Sequence, residues 1–256
     1  MKFRARTFRA APVLRVVQRL RCPQNPGAQV RKPSFSTISA LAAAVIAAGA
    51  ATSIAAVTVY DNDMSSQGEF NEILRSGGGK RCDKKYREKT KVMHASVKRS
   101  PTTCSFRPPV QGDDELPNQS VAVDGKILKD TPRSMRGGAF IEVTVRAGGS
   151  GTGYALRIFP DRKRYELKRG PAGANFPAQG KNKAIKRINE RNRIEIVATG
   201  AEVKALVNGK EVATVNDSNP GQVLGRKVRF ALGSKAKKDK TVVGTFKRVA
   251  VSVPDP

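Results

Sequence analysis

Few residues of this chain could carry out catalysis or bind a transition metal. The 256 residues include one histidine, His94, three cysteines and no tryptophan. A zinc cluster of four Cys and His ligands would need every one of them, and a Ser/His/Asp triad would have to include His94. A surface position beside several lysines is the simplest interpretation of His94. The composition therefore disfavours both kinds of site.

Acidic residues are also sparse. Glycoside hydrolysis needs two carboxylates a few ångströms apart, whereas the predicted strands contain one glutamate each: Glu142, Glu166, Glu195, Glu202 and Glu211. A pair could still meet across neighbouring strands, so a glycoside-hydrolase-related enzyme stays as the alternative. The sequence predicts a protein that is not an enzyme.

Positive charge is the most prominent chemical property. The chain has 48 Lys and Arg against 21 Asp and Glu, a formal net charge of +27. Such a surface attracts polyanions, so we expect a glycan or an anionic envelope polymer as partner. The alternatives are that the charge only keeps the domain soluble, and that the domain is a structural or partner-binding envelope protein. Nucleic acid is disfavoured because no zinc-finger spacing or aromatic ladder is present. The candidate ligand-binding cations are Arg157, Arg162, Arg164, Lys168 and Arg229.

The sequence offers two further kinds of ligand contact, aromatic stacking and calcium coordination. Tyr154 and Tyr165 would offer stacking surfaces if they are exposed, although strand alternation places both toward the core. Asp161, Asn216 and Asp217 could donate oxygen atoms to calcium, but the same residues are common in turns. No cofactor is predicted, with calcium as the alternative.

The amino-terminal region has the composition of a membrane-targeting segment. Residues 1–32 contain nine basic side chains and no acidic one, and residues 33–60 carry no charge. The 23 residues from Ile38 to Tyr60 are enough to cross a bilayer, and the basic flank orients residues 1–37 to the cytoplasm. We expect a single-pass cell-membrane protein with its carboxy-terminal domain outside. The alternatives are a cleaved signal and a secreted protein, a mitochondrial transit peptide, or a buried alanine-rich helix.

Residues 61–117 show little apolar periodicity. We expect an irregular stalk with one short helix around Glu69 to Arg75. Cys82 and Cys104 both follow the predicted span, where an oxidising compartment would allow them to form a disulfide. Cys22 lies before the span and is expected to be free.

Residues 118–256 have the pattern of an all-β domain. Apolar and polar residues alternate in short runs separated by turn residues. Asn208-Gly209 between two such runs predicts a two-residue type I′ hairpin. The predicted strands are Ala139 to Ala147, Tyr154 to Phe159, Arg164 to Arg169, Arg193 to Thr199, Glu202 to Val207, Glu211 to Val215, Lys227 to Leu232 and Thr245 to Val253, with Ser120 to Lys129 supplying one or two more.

The hairpin region resembles a known superfamily. Residues 192–200 (NRIEIVATG), Val203 to Val207, Asn208-Gly209-Lys210 and Val212 to Val215 are similar to concanavalin A-like lectin/glucanase domains, which include laminin-G-like and glucan-hydrolase-related modules. The resemblance covers residues 118–253. It implies a jelly-roll β-sandwich of two antiparallel sheets, with a ligand on the concave sheet or its rim loops. It also implies a non-catalytic carbohydrate-binding module, because no strand carries the paired carboxylates of the glucanases.

Overall fold

The computed structural model describes residues 56–98, 102–110, 118–148, 153–170, 178–222, 225–236 and 239–254. Two short helices, α1 (Gln67–Glu72) and α2 (Arg133–Arg136), accompany strands in this part of the chain. The strands are β1 (Ala56–Asn62), β2 (Leu74–Arg75), β3 (Cys82–Arg87), β4 (Val92–Val97), β5 (Thr102–Arg107), β6 (Gln119–Ile127), β7 (Ala139–Ala147), β8 (Tyr154–Phe159), β9 (Arg164–Arg169), β10 (Ala178–Lys181), β11 (Asn192–Thr199), β12 (Glu202–Val207), β13 (Lys210–Asn216), β14 (Lys227–Ser234) and β15 (Val242–Pro254).

The strands form two antiparallel sheets. One has the order β13-β12-β11-β6-β15-β4-β3, with β1 also paired to β15, and the other has the order β10-β9-β8-β7-β14-β5-β2. We call them the eight-stranded and the seven-stranded sheet. The sequence prediction of an all-β sandwich of two antiparallel sheets is confirmed.

The core lies between the sheets. Alternate residues of each strand point inward, as in β11, where Ile194, Ile196 and Ala198 are fully buried. Phe106 and Phe230 of the seven-stranded sheet meet Phe246 of the other sheet, with ring centroids 4.9 to 6.1 Å apart. These aromatic contacts connect the two layers.

The predicted hairpin is present. Asn208 and Gly209 have φ angles of 52° and 75°, as a type I′ turn requires. The Asn208 side chain also accepts a hydrogen bond from the backbone N–H of Arg193 and donates one to the carbonyl of Ala184. The turn therefore fixes both the β12–β13 register and the segment that precedes β11.

The predicted stalk is wrong, because its residues complete both sheets. β4 pairs with β15, and β5 pairs with β14. In β4 the side chains of Met93, Ala95 and Val97 are buried. Lysine and arginine around these strands hide their alternation, and β15 and β14, which connect them to the rest of each sheet, lie more than 100 residues away in the sequence. The sandwich therefore begins at β1 rather than at residue 118.

The predicted membrane span also needs correction at its end. Its last five residues, Ala56–Tyr60, belong to β1 and pair with β15, because β-branched and aromatic side chains favour extended backbone. Residues 1–55, including the rest of the span and Cys22, lie outside the described residues. Among the residues that are described, no helix has the length and apolar character needed to cross a membrane.

Local signals explain the first helix. Ser66 is its N-cap and accepts from the backbone N–H of Glu69, whose carboxylate accepts from the backbone of Ser66 in return. This capping box fixes the helix start. The helix therefore covers residues 67–72, slightly earlier than predicted.

The predicted disulfide is confirmed. Cys82 of β3 is bonded to Cys104 of β5, with the Cα atoms 5.3 Å apart. Because β3 and β5 belong to different sheets, the bond links the two layers covalently. Both cysteines are buried.

Removing this bond should destabilise the sandwich. In the chain-entropy model a loop of about 20 residues gives on the order of 3 kcal/mol, so we expect Cys82→Ala/Cys104→Ala to lose about this much free energy of unfolding in urea. Wild-type protein in strong reductant should lose a similar amount, and the variant should be insensitive to reductant. A loss of less than about 1 kcal/mol in the free energy of unfolding would show that the disulfide does not stabilise the sandwich appreciably.

Candidate functional site

The candidate site lies on the outer face of the seven-stranded sheet. Glu142 of β7 pairs with Arg157 of β8, and Arg157 pairs with Glu166 of β9. Directly paired residues lie on the same face, and these three alternate with core residues such as Ile141 and Leu156. A row of alternating charge therefore crosses three strands.

Arg157 holds the middle of this row. Its Nε and Nη2 atoms donate to Oε2 of Glu142 at 2.8 and 2.5 Å, and its guanidinium lies 3.8 Å from the centroid of the Phe140 ring. The Arg157 and Glu142 side chains are only 12 and 13 % exposed. The pair is thus largely shielded from solvent and fixed in position.

Glu166 is the most buried charge of the face, with a side chain only 3 % exposed. Lys235 Nζ donates to both of its carboxylate oxygens at 2.7 and 2.8 Å, and Arg164 Nη2 donates at 2.6 Å. Lys168 Nζ and Arg157 Nη1 lie 3.5 and 4.0 Å from Oε2. We call Glu142, Arg157, Arg164, Glu166, Lys168 and Lys235 the Glu166 cluster. Four cations and two carboxylates leave an excess of two positive charges.

The electrostatics keep Glu166 ionised. Burial raises the pKa of Glu166, but the hydrogen bond from Lys235 and the charges of Lys235, Lys168 and Arg164 lower it more, so its pKa lies below the ordinary value. Burial and the nearby cations Arg157 and Lys235 lower the pKa of Lys168. A carboxyl group with a low pKa is poorly suited to donate a proton near neutral pH.

Two aromatic rings lie beneath the cluster. Phe140 and Phe159 have ring centroids 5.8 Å apart, and both are almost fully buried. The Arg164 guanidinium and Lys235 Nζ lie 4.5 and 5.3 Å from the centroid of Phe159. The rings therefore support the cations by cation–π contacts and are not open for stacking on a sugar.

The predicted ligand-binding residues separate into three places. Arg157, Arg164 and Lys168 come together in the Glu166 cluster. Arg162 is exposed at the turn between β8 and β9. Arg229, on β14, donates from Nη2 to the carbonyl of Gly148 at 3.3 Å.

The two predicted stacking tyrosines differ in exposure. Tyr154 is 1 % exposed, and Tyr165 packs partly buried against the core. Tyr154 therefore faces the core, as strand alternation predicts, and stacking on Tyr165 stays a prediction. The Tyr154 hydroxyl donates to Oδ2 of Asp217, which also accepts from Arg169 Nε at 2.6 Å. Burial is the main cause that raises the pKa of Tyr154 to about 12.

These contacts bear on the calcium hypothesis. Asp217 is used by Tyr154 and Arg169, and its other oxygen accepts from the backbone N–H of Asn219 at 2.9 Å. In the described ranges, no group of three or more His, Cys, Asp and Glu side chains could hold a metal ion. Calcium binding at Asp161, Asn216 or Asp217 stays an untested alternative.

Sequence reasoning missed Glu142, Glu166 and Lys235 as parts of the site. The Arg157–Glu166 pair could have been found, because a short turn at residues 160–163 pairs Phe159 with Arg164 and thereby sets the register. Lys235 follows β14 and comes from 69 residues away. No local pattern indicates that contact.

No protein-family model matches the chain, and no curated protein matches it significantly. Several solved structures are similar in fold. A protein of unknown function with a galectin-like fold from Bacillus subtilis has a TM-score of 0.56 and 14 % identity, over 78 % of this chain and 98 % of that one.

Two further structures show the same fold. The Crh5 transglycosylase in complex with NAG gives a TM-score of 0.55 at 12 % identity, over 79 % of this chain and 86 % of its own. The CBM2 module of the evolved Dit of Lactobacillus casei BL23 phage J-1 gives 0.53 at 9 % identity, over 78 and 97 %. At these identities the likeness defines the fold alone: a galectin-like, jelly-roll β-sandwich.

Neutralising Glu166 should destabilise the protein in a pH-dependent way. A carboxylate whose folded-state pKa is lowered contributes stability above its unfolded pKa of about 4.3, and this contribution is lost as pH falls through the folded value. Glu166→Gln should therefore reduce the free energy of unfolding in urea by about 3 kcal/mol at pH 7, and the difference from wild type should shrink at pH 3.

Glu202→Gln is the matched control. Glu202 pairs with Lys204 at 2.7 Å, but both side chains are about one-third exposed. We expect a loss below about 1 kcal/mol. Equal effects of the two variants at pH 7 would contradict a special role of Glu166.

Proposed function

We propose that this protein is a carbohydrate-binding module that holds a glycan against the outer face of the seven-stranded sheet. The observation that carries the proposal is the Glu166 cluster, in which charged donors and acceptors are fixed by one another before any ligand arrives. A pre-organised polar surface loses little conformational entropy when it binds hydroxyl or carboxylate groups.

Short side chains beside the cluster support this location. Thr144 and Ala155 face each other on β7 and β8, next to the Glu142–Arg157 pair, and both are partly exposed. Ala155 also faces Lys168 of β9. Small residues next to fixed charged groups leave room for a sugar ring within hydrogen-bonding range of the cluster.

The state of the carboxylates favours binding over hydrolysis. Glycoside hydrolysis needs one carboxyl group that is protonated near neutral pH. Glu142 is ion-paired with Arg157, and the pKa of Glu166 is lowered. We therefore propose a non-catalytic role.

A bulky substitution at Ala155 tests the site. Ala155→Trp adds volume without changing charge and should lower the affinity of the full chain by about tenfold or more, a change of about 1.4 kcal/mol. Titration calorimetry with glycans selected from an array of neutral and acidic polysaccharides would measure it. Thr214→Trp, at an exposed position of β13 in the eight-stranded sheet, should bind like wild type. Equal binding by Ala155→Trp would place the site elsewhere, and a wild-type chain that binds no glycan would overturn the proposal.

We also propose that the domain works outside the cytoplasm, attached through residues 38–55. The Cys82–Cys104 bond supports this compartment, because structural disulfides persist in oxidising environments. In cells, the protein should fractionate with membranes, and protease added outside should remove the domain. A mature chain that begins at residue 51 would identify a cleaved signal and a secreted protein instead.

A further inference from the structure

A basic pocket lies beside the Glu166 cluster, at the end of the β8–β9 hairpin. Its volume is about 470 Å³, and its lining contains five cations and one acidic side chain. We call it the basic pocket; its lining residues are Asp161, Arg162, Lys163, Lys181, Asn182, Lys183 and Arg187.

Among the described residues of the lining, Asp161 alone opposes the charge of the five cations. Within the described parts of the chain, none of its five cationic side chains forms an ion pair. The Glu166 cluster is different, because carboxylates lie among its cations. The pocket therefore has a strong local excess of positive charge, which attracts anions.

The backbone around the pocket is held rigidly. Ile185 is fully buried and anchors the segment that carries Lys183 and Arg187. The buried Asn192 side chain accepts from the backbone N–H of Lys186 at 2.8 Å and donates to the carbonyl of the same residue at 3.2 Å. The backbone that carries Lys183 and Arg187 is therefore held in place before a ligand binds.

This arrangement costs stability in the free protein. Lys181 of β10 lies directly opposite Arg164 of β9, and like charges at paired positions destabilise a sheet. The backbone N–H of Asn182 also bonds to the carbonyl of Lys163 at 2.9 Å, which brings a further cation near Lys181. Such local conflicts are expected at functional sites.

We infer that the basic pocket is a second subsite, which binds a carboxylate or sulfate group of the glycan that lies along the Glu166 cluster. This inference rests on the proposed function. Arg164 connects the two places, because it bonds Glu166 on one side and faces Lys181 on the other. The ligand class is thus an acidic polysaccharide. Nucleic acid fits less well, because the described residues of the pocket lining include no aromatic side chain on which a base could stack.

The experiment compares two double variants of the full chain. Lys181→Ser/Lys183→Ser removes two exposed charges of the pocket, and Lys89→Ser/Lys210→Ser removes two exposed charges elsewhere. The probes are polygalacturonate, heparin, a neutral glycan that the wild type binds, and a DNA duplex. Affinity is measured at two salt concentrations, because exposed charges are screened over about 8 Å at physiological ionic strength.

We expect the pocket variant to lose about tenfold in affinity for polygalacturonate or heparin, with a weaker salt dependence, and to bind the neutral glycan like wild type. A loss for polygalacturonate identifies a carboxylate as the bound group, and a loss for heparin alone identifies a requirement for sulfate. The control variant should bind like wild type. Equal losses in both variants, or no loss in the pocket variant, would overturn the inference. A larger loss for DNA than for either glycan would assign the pocket to nucleic acid and overturn it too.

Ala155→Trp separates this inference from the proposed function. If Ala155→Trp weakens binding to all glycans and the pocket variant does not weaken binding to acidic ones, the second subsite is wrong and the proposed function stands. If only the pocket variant weakens binding, the pocket binds an anion and the proposed location along the cluster is wrong.

Discussion

The outer face of the seven-stranded sheet depends on one buried carboxylate, that of Glu166. A chain with a formal charge of +27 must bring cations close together, and their repulsion is strong where little water screens them. Glu166 lies within 4.0 Å of four cationic side chains, and Glu142 neutralises Arg157 from the other side. Removing the Glu166 charge would leave a cluster held mainly by repelling groups.

The scaffold beneath this face depends on strands that are distant in sequence. β15 pairs with β1, β4 and β6, and β14 pairs with β5 and β7. The last two strands therefore join the amino-terminal strands to the middle of the chain. The Cys82–Cys104 bond adds a covalent link between β3 and β5. Because Lys235 directly follows β14, correct placement of β14 also positions the main partner of Glu166.

Features of the fold that depend on residues close together in the sequence could be predicted, and features that depend on distant residues could not. The Asn208-Gly209 turn and the alternation in β7, β8, β9 and β11 are local, and they predicted the sandwich. β4 has the same alternation, but its partner β15 is about 150 residues away in the sequence. The lysines around β4 also lower the mean hydropathy of this region. The amino-terminal strands were therefore interpreted as a stalk.

The same distinction applies to the candidate site. A single hairpin determines the Arg157–Glu166 register, which is accessible from sequence. Lys235 reaches Glu166 only because β14 lies beside β7 in the folded sheet. Burial also gives two of the predicted ligand-binding residues a structural role. Tyr154 packs in the core and donates a hydrogen bond to Asp217. Arg157 donates hydrogen bonds to Glu142.

The two charged regions of this face differ in one physical respect, which is whether their cations already have carboxylate partners. In the Glu166 cluster the cations already have carboxylate partners, so an incoming anion would compete with internal ion pairs. In the basic pocket no ion pair joins the cations to a carboxylate of the described residues, so an anion gains interaction energy without breaking such a pair. A ligand that offers hydroxyl groups to the cluster and an acidic group to the pocket would use both regions at once. Because the second contact is then intramolecular, its effective concentration is high. A polymer with both groups is therefore favoured over a free anion, which could use only the pocket.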